Sequence, residues 1–224
     1  MVKDPLNILG CVPSLLNILI ELANEARHYT EFKVIQNIPV DLTGTYVMLE
    51  EWNVKYMEFS KDSIKLSPKD HFALSVVGTN SKKQVYEFFK NHIQMPEEQF
   101  LNMIHPTSYV SRSVKLSHGL QMEPLCSISS CSSIGAFVNI KRNSTIGHHC
   151  EIGDYSTINP GVAISGEVII GKQTMIGTGT VIKDRISVGN NCIIGVGSVV
   201  VKDIPDNSIA YGNPCVVHKI NKKN

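Results

Sequence analysis

The sequence predicts a small α/β domain followed by a parallel β-helix. Before residue 104, apolar runs that end in turn residues alternate with segments of helical periodicity; after it, an aliphatic residue occupies every sixth position. Alternating strands and helices indicate a parallel sheet, and hexapeptide repeats are typical of a β-helix. We therefore expect domains at 1–103 and 104–214, followed by a C-terminal tail at 215–224.

The first domain is predicted to contain three strands and two helices. The strand candidates are the runs LNILG, EFKVIQNI and HFALSVVGT. The helix candidates are PSLLNILIELANEA and NSKKQVYEFFKNHI, in which apolar residues recur at helical spacing. Their alternation predicts a small parallel sheet.

The second domain is predicted from its unbroken six-residue period. The aliphatic position is filled by Ile104, Val110, Leu116, Met122, Ile128, Ile134, Ile140, Ile146, Ile152, Ile158, Ile164, Ile170, Ile176, Ile182, Val188, Ile194 and Val200. Neither a helix nor an ordinary strand has this period. Three repeats would close one triangular coil, so each residue stacks on the residue 18 positions later. We expect the aliphatic side chains to point inward, where burial of each contributes roughly 1.5–3 kcal/mol to the stability of the fold. The glycines that follow them should suit tight corners. Because the period is unbroken, we expect no long loop to interrupt the coils.

Charge and composition exclude several classes of function. The formal net charge is +1, which gives no basic surface for nucleic acid. No segment reaches the roughly 20 apolar residues of a membrane span, and the N-terminal apolar run lacks the basic head of a secretory signal. The six cysteines show no C-x-x-C spacing, so we expect reduced thiols in a cytoplasmic protein. The Lys-rich end HKINKKN is expected to be solvated.

Two adjacent histidines lie within the repeat in the stretch NSTIGHHCEIGDYSTINPG. His148 and His149 follow Ile146 by two and three places, where side chains should face outward at a corner. Gly166 lies 18 positions after His148 and should sit about 4.8 Å away on the next coil. An imidazole base beside an exposed N–H suits acyl transfer, because the ring accepts a proton and the N–H stabilises an oxyanion. The spacing alone is equally compatible with solvated surface histidines, and it supplies no third ligand for a metal.

The run STIGHHCEIGDYSTINPGVAISGEVIIGKQTMIGTGTVIKDRISVGNNCIIGVGSVVVKDIPDNSIAYGNPC resembles the left-handed β-helix acyltransferases that acetylate nucleotide-linked amino sugars, a family that includes sialic acid O-acetyltransferases. VVGTNSKK and NMIHPTSYVSRSVKL are also similar to that family, so the resemblance covers nearly the whole chain. It implies a Rossmann-like N-terminal domain before a left-handed β-helix, and a homotrimer with active sites in clefts between neighbouring β-helices. It also implies acetyl-CoA as donor, no metal, and a UDP- or GDP-linked 4-amino-4,6-dideoxysugar as acceptor.

The resemblance also implies the site residues. The family's catalytic histidine falls on His148 and its acetyl-contacting amide on Gly166. Further coenzyme A contacts are expected at Thr157, Thr178, Val196 and Lys202. Nucleotide-sugar contacts are expected at Gly10, Ser14, Gln36, Asn37, Asn80 and Lys141, with Arg142 beside the last.

The chain departs from the family pattern in both domains. The family usually places Asp or Glu after its histidine to orient the ring, whereas this chain has His149 there. A second positive charge beside His148 would oppose protonation of its ring, so we expect another carboxylate, such as Asp154, to assist. In the first domain only Gly10 remains of the Gly-rich turn, and Gln36 and Asn37 replace the family's paired acids.

The predicted activity is transfer of an acetyl group from acetyl-CoA to the 4-amino group of a nucleotide-linked sugar. His148 and His149 are the catalytic candidates, and the Gly166 N–H would hold the oxyanion. O-acetylation of a sugar or a sialic acid, and a non-catalytic trimeric scaffold, remain the alternatives. A hydroxyl acceptor depends on the base more than an amine does, so a weakened histidine base favours the amine.

Overall fold

A computed structural model describes residues 4–38, 52–60, 67, 69–76, 78–93 and 95–222 of the chain. The chain divides into two units, Met1–Met103 and Ile104–Asn224. Over the described ranges, no helix has both the length and the apolar character that crossing a membrane requires.

The first unit contains a four-stranded parallel sheet and two helices. In chain order its elements are β1 (Leu6–Leu9), α1 (Pro13–Arg27), β2 (Glu31–Gln36), β3 (Asn53–Glu58), β4 (Phe72–Leu74), α2 (Thr79–Ile93) and a 3-10 turn (Glu97–Gln99). The strand order is β3-β2-β1-β4, and every neighbouring pair is parallel. The predicted alternation of strands and helices is therefore present. Of the run HFALSVVGT, Phe72–Leu74 forms the strand, and Val77 lies outside the described residues.

Strand β3 is not predicted from the sequence. Its residues NVKYME place exposed polar side chains between half-buried ones, because β3 lies at the edge of the sheet. An edge strand has a weaker apolar signal than the buried strands β1 and β2. The core of this unit instead lies between the central strands and α1, where Ile8 and Val34 pack with Leu16 and Leu19.

The second unit is a left-handed parallel β-helix, as predicted. Seventeen two-residue strands follow one another: β5 (Met103–Ile104), β6 (Tyr109–Val110), β7 (Lys115–Leu116), β8 (Gln121–Met122), β9 (Ser127–Ile128), β10 (Ser133–Ile134), β11 (Asn139–Ile140), β12 (Thr145–Ile146), β13 (Glu151–Ile152), β14 (Thr157–Ile158), β15 (Ala163–Ile164), β16 (Ile169–Ile170), β17 (Met175–Ile176), β18 (Val181–Ile182), β19 (Ser187–Val188), β20 (Ile193–Ile194) and β21 (Val199–Val200). They form three sheets of five, six and eight strands, the last including two later strands. Each aliphatic marker is the second residue of its strand, and Ile146 pairs with Ile128 and Ile164 in the predicted register.

A second column of small side chains also faces the interior. These residues lie four positions after each marker, and Ser132, Ser144 and Ser156 are almost completely buried there. The Ser156 hydroxyl donates to the Gly171 carbonyl (2.7 Å) and accepts the Thr174 N–H (3.0 Å). The column therefore satisfies buried backbone groups that the short strands leave unpaired.

The glycines that follow the markers have a different role from the one expected. The left-handed conformation falls two residues later, for example at His149 (φ 55°) and Glu167 (φ 59°). At Gly147, a Cβ would instead lie 2.5 Å from the carbonyl carbon of Ser165 on the next coil. These glycines are needed because successive coils approach closely, and not because the corner requires a positive φ.

The expectation of a tail at 215–224 is wrong for most of that segment. Strand β22 (Ser208–Gly212) extends the eight-stranded sheet, and β23 (Cys215–Ile220) pairs with it in antiparallel orientation. The buried Asn221 amide donates to the backbone carbonyl and to Oδ1 of Asn191 (2.9 and 3.1 Å). The β-branched residues in CVVHKI extend the sheet despite the neighbouring lysines.

Candidate active site

The two histidines lie at the corner that follows the six-stranded sheet, immediately after β12. Their Nδ1 atoms are 3.0 Å apart, and their rings are nearly perpendicular, at 84°. Both side chains are exposed. A hydrogen bond between two ring nitrogens needs one donor and one acceptor, so at least one ring must be neutral. We call this corner, with its equivalents on the other coils, the histidine corner.

Gly166 occupies the same place as His148 on the next coil, as predicted from the spacing. A Cβ on Gly166 would lie 2.6 Å from both Cε1 and Nε2 of His148, so the ring covers the glycine. The two coils are joined here by a hydrogen bond from the Glu167 N–H to the His148 carbonyl (2.8 Å). The structure therefore brings the candidate base and the candidate oxyanion donor together.

The Gly166 N–H donates to no capping group within the described residues. At the corner after the five-stranded sheet, the equivalent N–H donates to a side chain of the following coil, as in the pairs Ala136 with Asp154, Lys172 with Asn190, and Asn190 with Asp206. At the histidine corner the equivalent residue on the coil after Gly166 is Asp184. Its carboxylate lies 3.9 Å from Arg185 Nη1 and does not accept the Gly166 N–H. This amide is thus available to a ligand beside an imidazole.

Asp154, the carboxylate expected to assist His148, is held elsewhere. One of its oxygens accepts the Ala136 N–H (3.0 Å), and the other forms an ion pair with Lys172 Nζ (2.8 Å). Burial alone would raise the pKa of Asp154, but these hydrogen bonds outweigh it and the net pKa is lowered. The expected assistance is wrong because Asp154 belongs to the corner after the five-stranded sheet.

Glu167 is the carboxylate beside the histidines, and sequence reasoning missed it. It lies 18 positions after His149, so the same stacking rule that located Gly166 would have located it. Its oxygens accept hydrogen bonds from Nε and Nη2 of Arg185, both at 3.1 Å. Those bonds, with smaller contributions from His148 and His149, hold the pKa of Glu167 below its usual range.

The candidate coenzyme contacts divide between two corners. Lys202 continues the column of His148 and Gly166 and is exposed. Thr178 and Val196 instead stack at the corner that precedes the six-stranded sheet, where the Gly197 N–H donates to the Thr178 carbonyl (2.8 Å). Within one chain, these two sets therefore lie on opposite edges of the same sheet.

Three other candidates at or near that second corner are less accessible or already engaged. Thr157 is only 3% exposed in β14, which leaves little of its side chain for a coenzyme. Lys141 is half-buried, and its backbone carbonyl accepts a hydrogen bond from the Cys126 thiol (3.1 Å) that does not involve its side chain. Arg142 pairs with Glu123 (3.1 Å), so its charge is already balanced within the chain.

The candidate nucleotide contacts lie at the carboxyl-terminal edge of the first unit's sheet. Gly10 has a positive φ of 74°, and its Cβ would lie 3.1 Å from Val76 Cγ2. Ser14 is exposed in the first turn of α1, Gln36 ends β2, and Asn37 follows it. Asn80 lies in the first turn of α2. This edge is where parallel α/β sheets bind ligands.

Unpaired polar atoms mark the same edge. Gln36 Nε2, Ser75 Oγ and Tyr56 Oη are buried and have no hydrogen-bond partner within the described residues. Burial raises the pKa of the Cys11 thiol and raises the pKa of Tyr56 to about 12. The N-cap of α1, Val12, makes no side-chain cap. Buried polar atoms are normally paired, so this edge is suited to a polar ligand. Ser75 and Tyr56 are not identifiable from the sequence.

Metal binding finds no support in the part of the chain that the structure describes, where no three His, Cys, Asp or Glu side chains come together as ligands.

Comparison with known proteins gives a repeat-family match, a curated relative and solved structures of similar fold. Residues 131–166 match the family described as bacterial transferase hexapeptide (six repeats). GDP-perosamine N-acetyltransferase of Escherichia coli O157:H7 is 32% identical over 93 residues, which is 42% of this chain and 40% of that protein. The match thus spans less than half the length of this curated relative.

Two solved structures share the fold of nearly the whole chain. PerB from Caulobacter crescentus, in complex with CoA and GDP-perosamine, has a TM-score of 0.75 at 22% identity and covers 98% of this chain and 99% of its own. The acetyltransferase domain of PglB from Neisseria gonorrhoeae FA1090, in complex with acetyl coenzyme A, has a TM-score of 0.78 at 23% identity, with 96% and 100% coverage. The chain therefore carries the bacterial transferase hexapeptide repeat and has the fold of these two acetyltransferase structures.

Proposed function

We propose that this protein transfers an acetyl group from acetyl-CoA to the 4-amino group of a sugar linked to UDP or GDP. The observation that carries the proposal is the uncapped Gly166 N–H beneath the His148 ring. The shared fold with structures that contain CoA and GDP-perosamine supports the choice of donor and acceptor.

In the proposed reaction the amine nitrogen attacks the thioester carbonyl carbon. His148 accepts a proton from the amine as the N–C bond forms, and the Gly166 N–H stabilises the oxyanion of the tetrahedral intermediate. The C–S bond then breaks and CoA leaves as a thiolate, which takes up a proton. Lys202, on the same column as His148 and Gly166, would contact a phosphate of the coenzyme.

The nucleotide part of the acceptor would bind at the carboxyl-terminal edge of the first unit, which we interpret as a Rossmann-like domain. Gln36 and Ser75 support this, because each buries a polar atom that lacks a partner among the described residues. The first turn of α1 would receive a phosphate through the Ser14 N–H and the helix dipole, because the Leu15 and Leu16 N–H groups already donate to the Val12 carbonyl. Ser14, Asn37 and Asn80 would add polar contacts.

The active enzyme would be a homotrimer. The outward residues of the six-stranded sheet between Ser127 and Val199 carry no charge, and Val181 is 44% exposed there. If three copies turn this sheet toward a common axis, the histidine corner of one copy meets the Thr178 and Val196 corner of the next. The two sets of contacts that a single chain separates would then line one cleft. Val196, 77% exposed, supports an interface at that corner.

We place the reaction in the cytoplasm. All six cysteines are free thiols, which is the state favoured by a reducing compartment.

Assay of the purified protein with acetyl-CoA and a panel of UDP- and GDP-linked 4-amino sugars, with detection of free CoA, tests the proposal. The 4-hydroxyl analogue of each sugar distinguishes O-acetylation. We expect turnover with an amino sugar, and a loss on the order of 10²–10⁴ in kcat for His148→Ala. Stabilisation by acetyl-CoA in thermal unfolding should remain in this variant, because binding the folded state alone raises stability. Wild-type turnover in His148→Ala, or no turnover and no stabilisation with any ligand, would overturn it.

A further inference from the structure

We propose that Glu167, acting through His149, is the positioning carboxylate that places the proton on the correct nitrogen of His148. This inference rests on the proposed function, and it assigns a replacement for the acid that the chain lacks at residue 149. Glu167 comes from the next coil and not from the residue beside the base.

The stacking of successive coils brings Glu167 over His149. Both residues are the third after an aliphatic marker, and both have the left-handed corner conformation. Residues in register on neighbouring coils are about 4.8 Å apart. The hydrogen bond from the Glu167 N–H to the His148 carbonyl (2.8 Å) fixes the two corners together. The Glu167 carboxylate, which is bound to Arg185, makes no hydrogen bond or ion pair with His149 among the described residues, so it acts on the two rings through its charge.

Because the Nδ1 atoms of His148 and His149 are in contact, the positions of the two ring protons determine whether His148 can act as a base. A neutral imidazole carries one N–H, so His148 can accept a proton at Nε2 only if its own N–H is at Nδ1. The 3.0 Å contact then requires His149 to accept at Nδ1, which places the His149 N–H at Nε2. In the opposite arrangement His148 has its proton at Nε2, beside Gly166, and cannot act as a base there.

A negative charge on the coil next to His149 selects the productive arrangement, because it stabilises a His149 N–H that turns toward it. Arg185 keeps Glu167 ionised, and a carboxylate that accepts two hydrogen bonds still has lone pairs for a third. The other groups around His149 do not replace it. Cys131 occupies the corresponding place on the preceding coil, and Asp184 lies a further coil away beside Arg185.

The test uses Glu167→Gln in the full-length protein. We expect kcat to fall roughly 10-fold or more with little change in the KM for acetyl-CoA, because the base loses efficiency while coenzyme contacts remain. The acidic limb of the kcat/KM profile should move to lower pH, since a carboxylate near the ring pair favours its protonated form. Glu151→Gln, an exposed acid two residues after His149, is the matched control and should leave rate and profile unchanged.

A spectroscopic readout separates positioning from a structural role. In ring-nitrogen NMR we expect wild-type His148 to carry its proton at Nδ1, and Glu167→Gln to move a substantial fraction of that proton to Nε2. His149→Asp supplies a hydrogen-bond acceptor directly beside His148, so Glu167 should no longer be needed in this variant. Adding Glu167→Gln to His149→Asp should therefore change kcat by less than about 2-fold, because the effects of the two positions are coupled only through His149.

The outcomes distinguish the two proposals. If His148→Ala is inactive while Glu167→Gln keeps the wild-type rate, pH profile and ring signals, the Glu167 role is wrong and the proposed function stands. If Glu167→Gln is equally slow with or without His149→Asp, Glu167 does not act through His149. If His148→Ala is fully active, the proposed function itself fails, whatever Glu167 does.

Discussion

The imidazole of His148 lies directly against the backbone of Gly166, one coil further along the β-helix. A Cβ on Gly166 would be 2.6 Å from two atoms of that ring. Gly166 does not have the positive φ of the corner residue that follows it. The ring, and not the backbone conformation, therefore excludes a side chain here, which leaves an N–H open beside the base.

Gly166→Ala should separate activity from folding. The new Cβ forces the His148 ring away from its position, and displacement of a catalytic group by about 1 Å can cost roughly 10²-fold in rate. We expect a loss of that order in kcat, with thermal unfolding close to wild type. Steady-state kinetics and a thermal melt of the same sample measure both.

Gly161→Ala is the matched control for that substitution. Its Cβ would have no neighbour closer than 4.0 Å, but its φ of 68° is unfavourable for alanine. It should lose about 1 kcal/mol of stability and keep its activity. Full activity in Gly166→Ala would show that the ring is not confined against the glycine during the reaction.

Ser156→Ala should destabilise the β-helix without touching the histidine corner. Removing the hydroxyl leaves the Gly171 carbonyl and the Thr174 N–H without their buried partner, which costs about 1–3 kcal/mol. Urea denaturation measures the change in free energy of unfolding.

Ser156→Cys tests the same contacts to the Gly171 carbonyl and the Thr174 N–H with a side chain that other coils already use at this position. Cys150 and Cys192 occupy equivalent places on other coils, and each directs its sulfur to a backbone carbonyl at 3.1 Å. We expect Ser156→Cys to retain most of the stability that alanine loses. Equal stability of all three proteins would mean that the buried hydroxyls contribute nothing.

Asp154→Asn should change how stability depends on pH. The folded-state pKa of Asp154 is lowered from its usual 3.8, so its contribution is fully present above that value and is lost as pH falls through the lower, folded pKa. Wild type should therefore lose stability below about pH 4, and the variant should show a flatter dependence. At neutral pH the difference should be on the order of 1 kcal/mol, because the ion pair with Lys172 is partly exposed.

Thermal melts between pH 3 and pH 7, a range set by the usual carboxylate values, measure this difference. Glu151→Gln serves as the control for loss of one exposed acid in the same unit. Parallel curves for wild type and Asp154→Asn would refute the assignment of this acid-side stability to Asp154.

Deletion of residues 216–224 should destabilise the protein. It removes most of β23 and the Asn221 contacts to Asn191, and it leaves β22 as an unpaired edge. We expect a loss of more than about 2 kcal/mol, beyond the usual range for a surface change. Lys222→Ala, an exposed position in the same segment, should be close to neutral. If the deleted protein is as stable as wild type, the segment contributes nothing to the stability of the fold and behaves as the tail expected from the sequence.

Prediction from sequence succeeds where a period is long and unbroken. The six-residue repeat places every marker from Ile104 to Val200 on the inside and sets the 18-residue register, so the meeting of His148 with Gly166 follows without coordinates. The same reasoning fails at β3, whose edge position gives it a mixed pattern, and in CVVHKI, where lysine content concealed a strand.

The sequence by itself determined the β-helix, its register and the column that carries the histidines, because a strict repeat allows each residue one place along the coil. Only the tertiary structure decided which groups the carboxylates near that column bind. Asp154 is drawn to Lys172 and the Ala136 N–H, whereas Glu167 stands above His149, held by Arg185. The physical reason is that register fixes where Cα atoms lie, while hydrogen bonds and ion pairs depend on how side chains from several coils compete for the same partners.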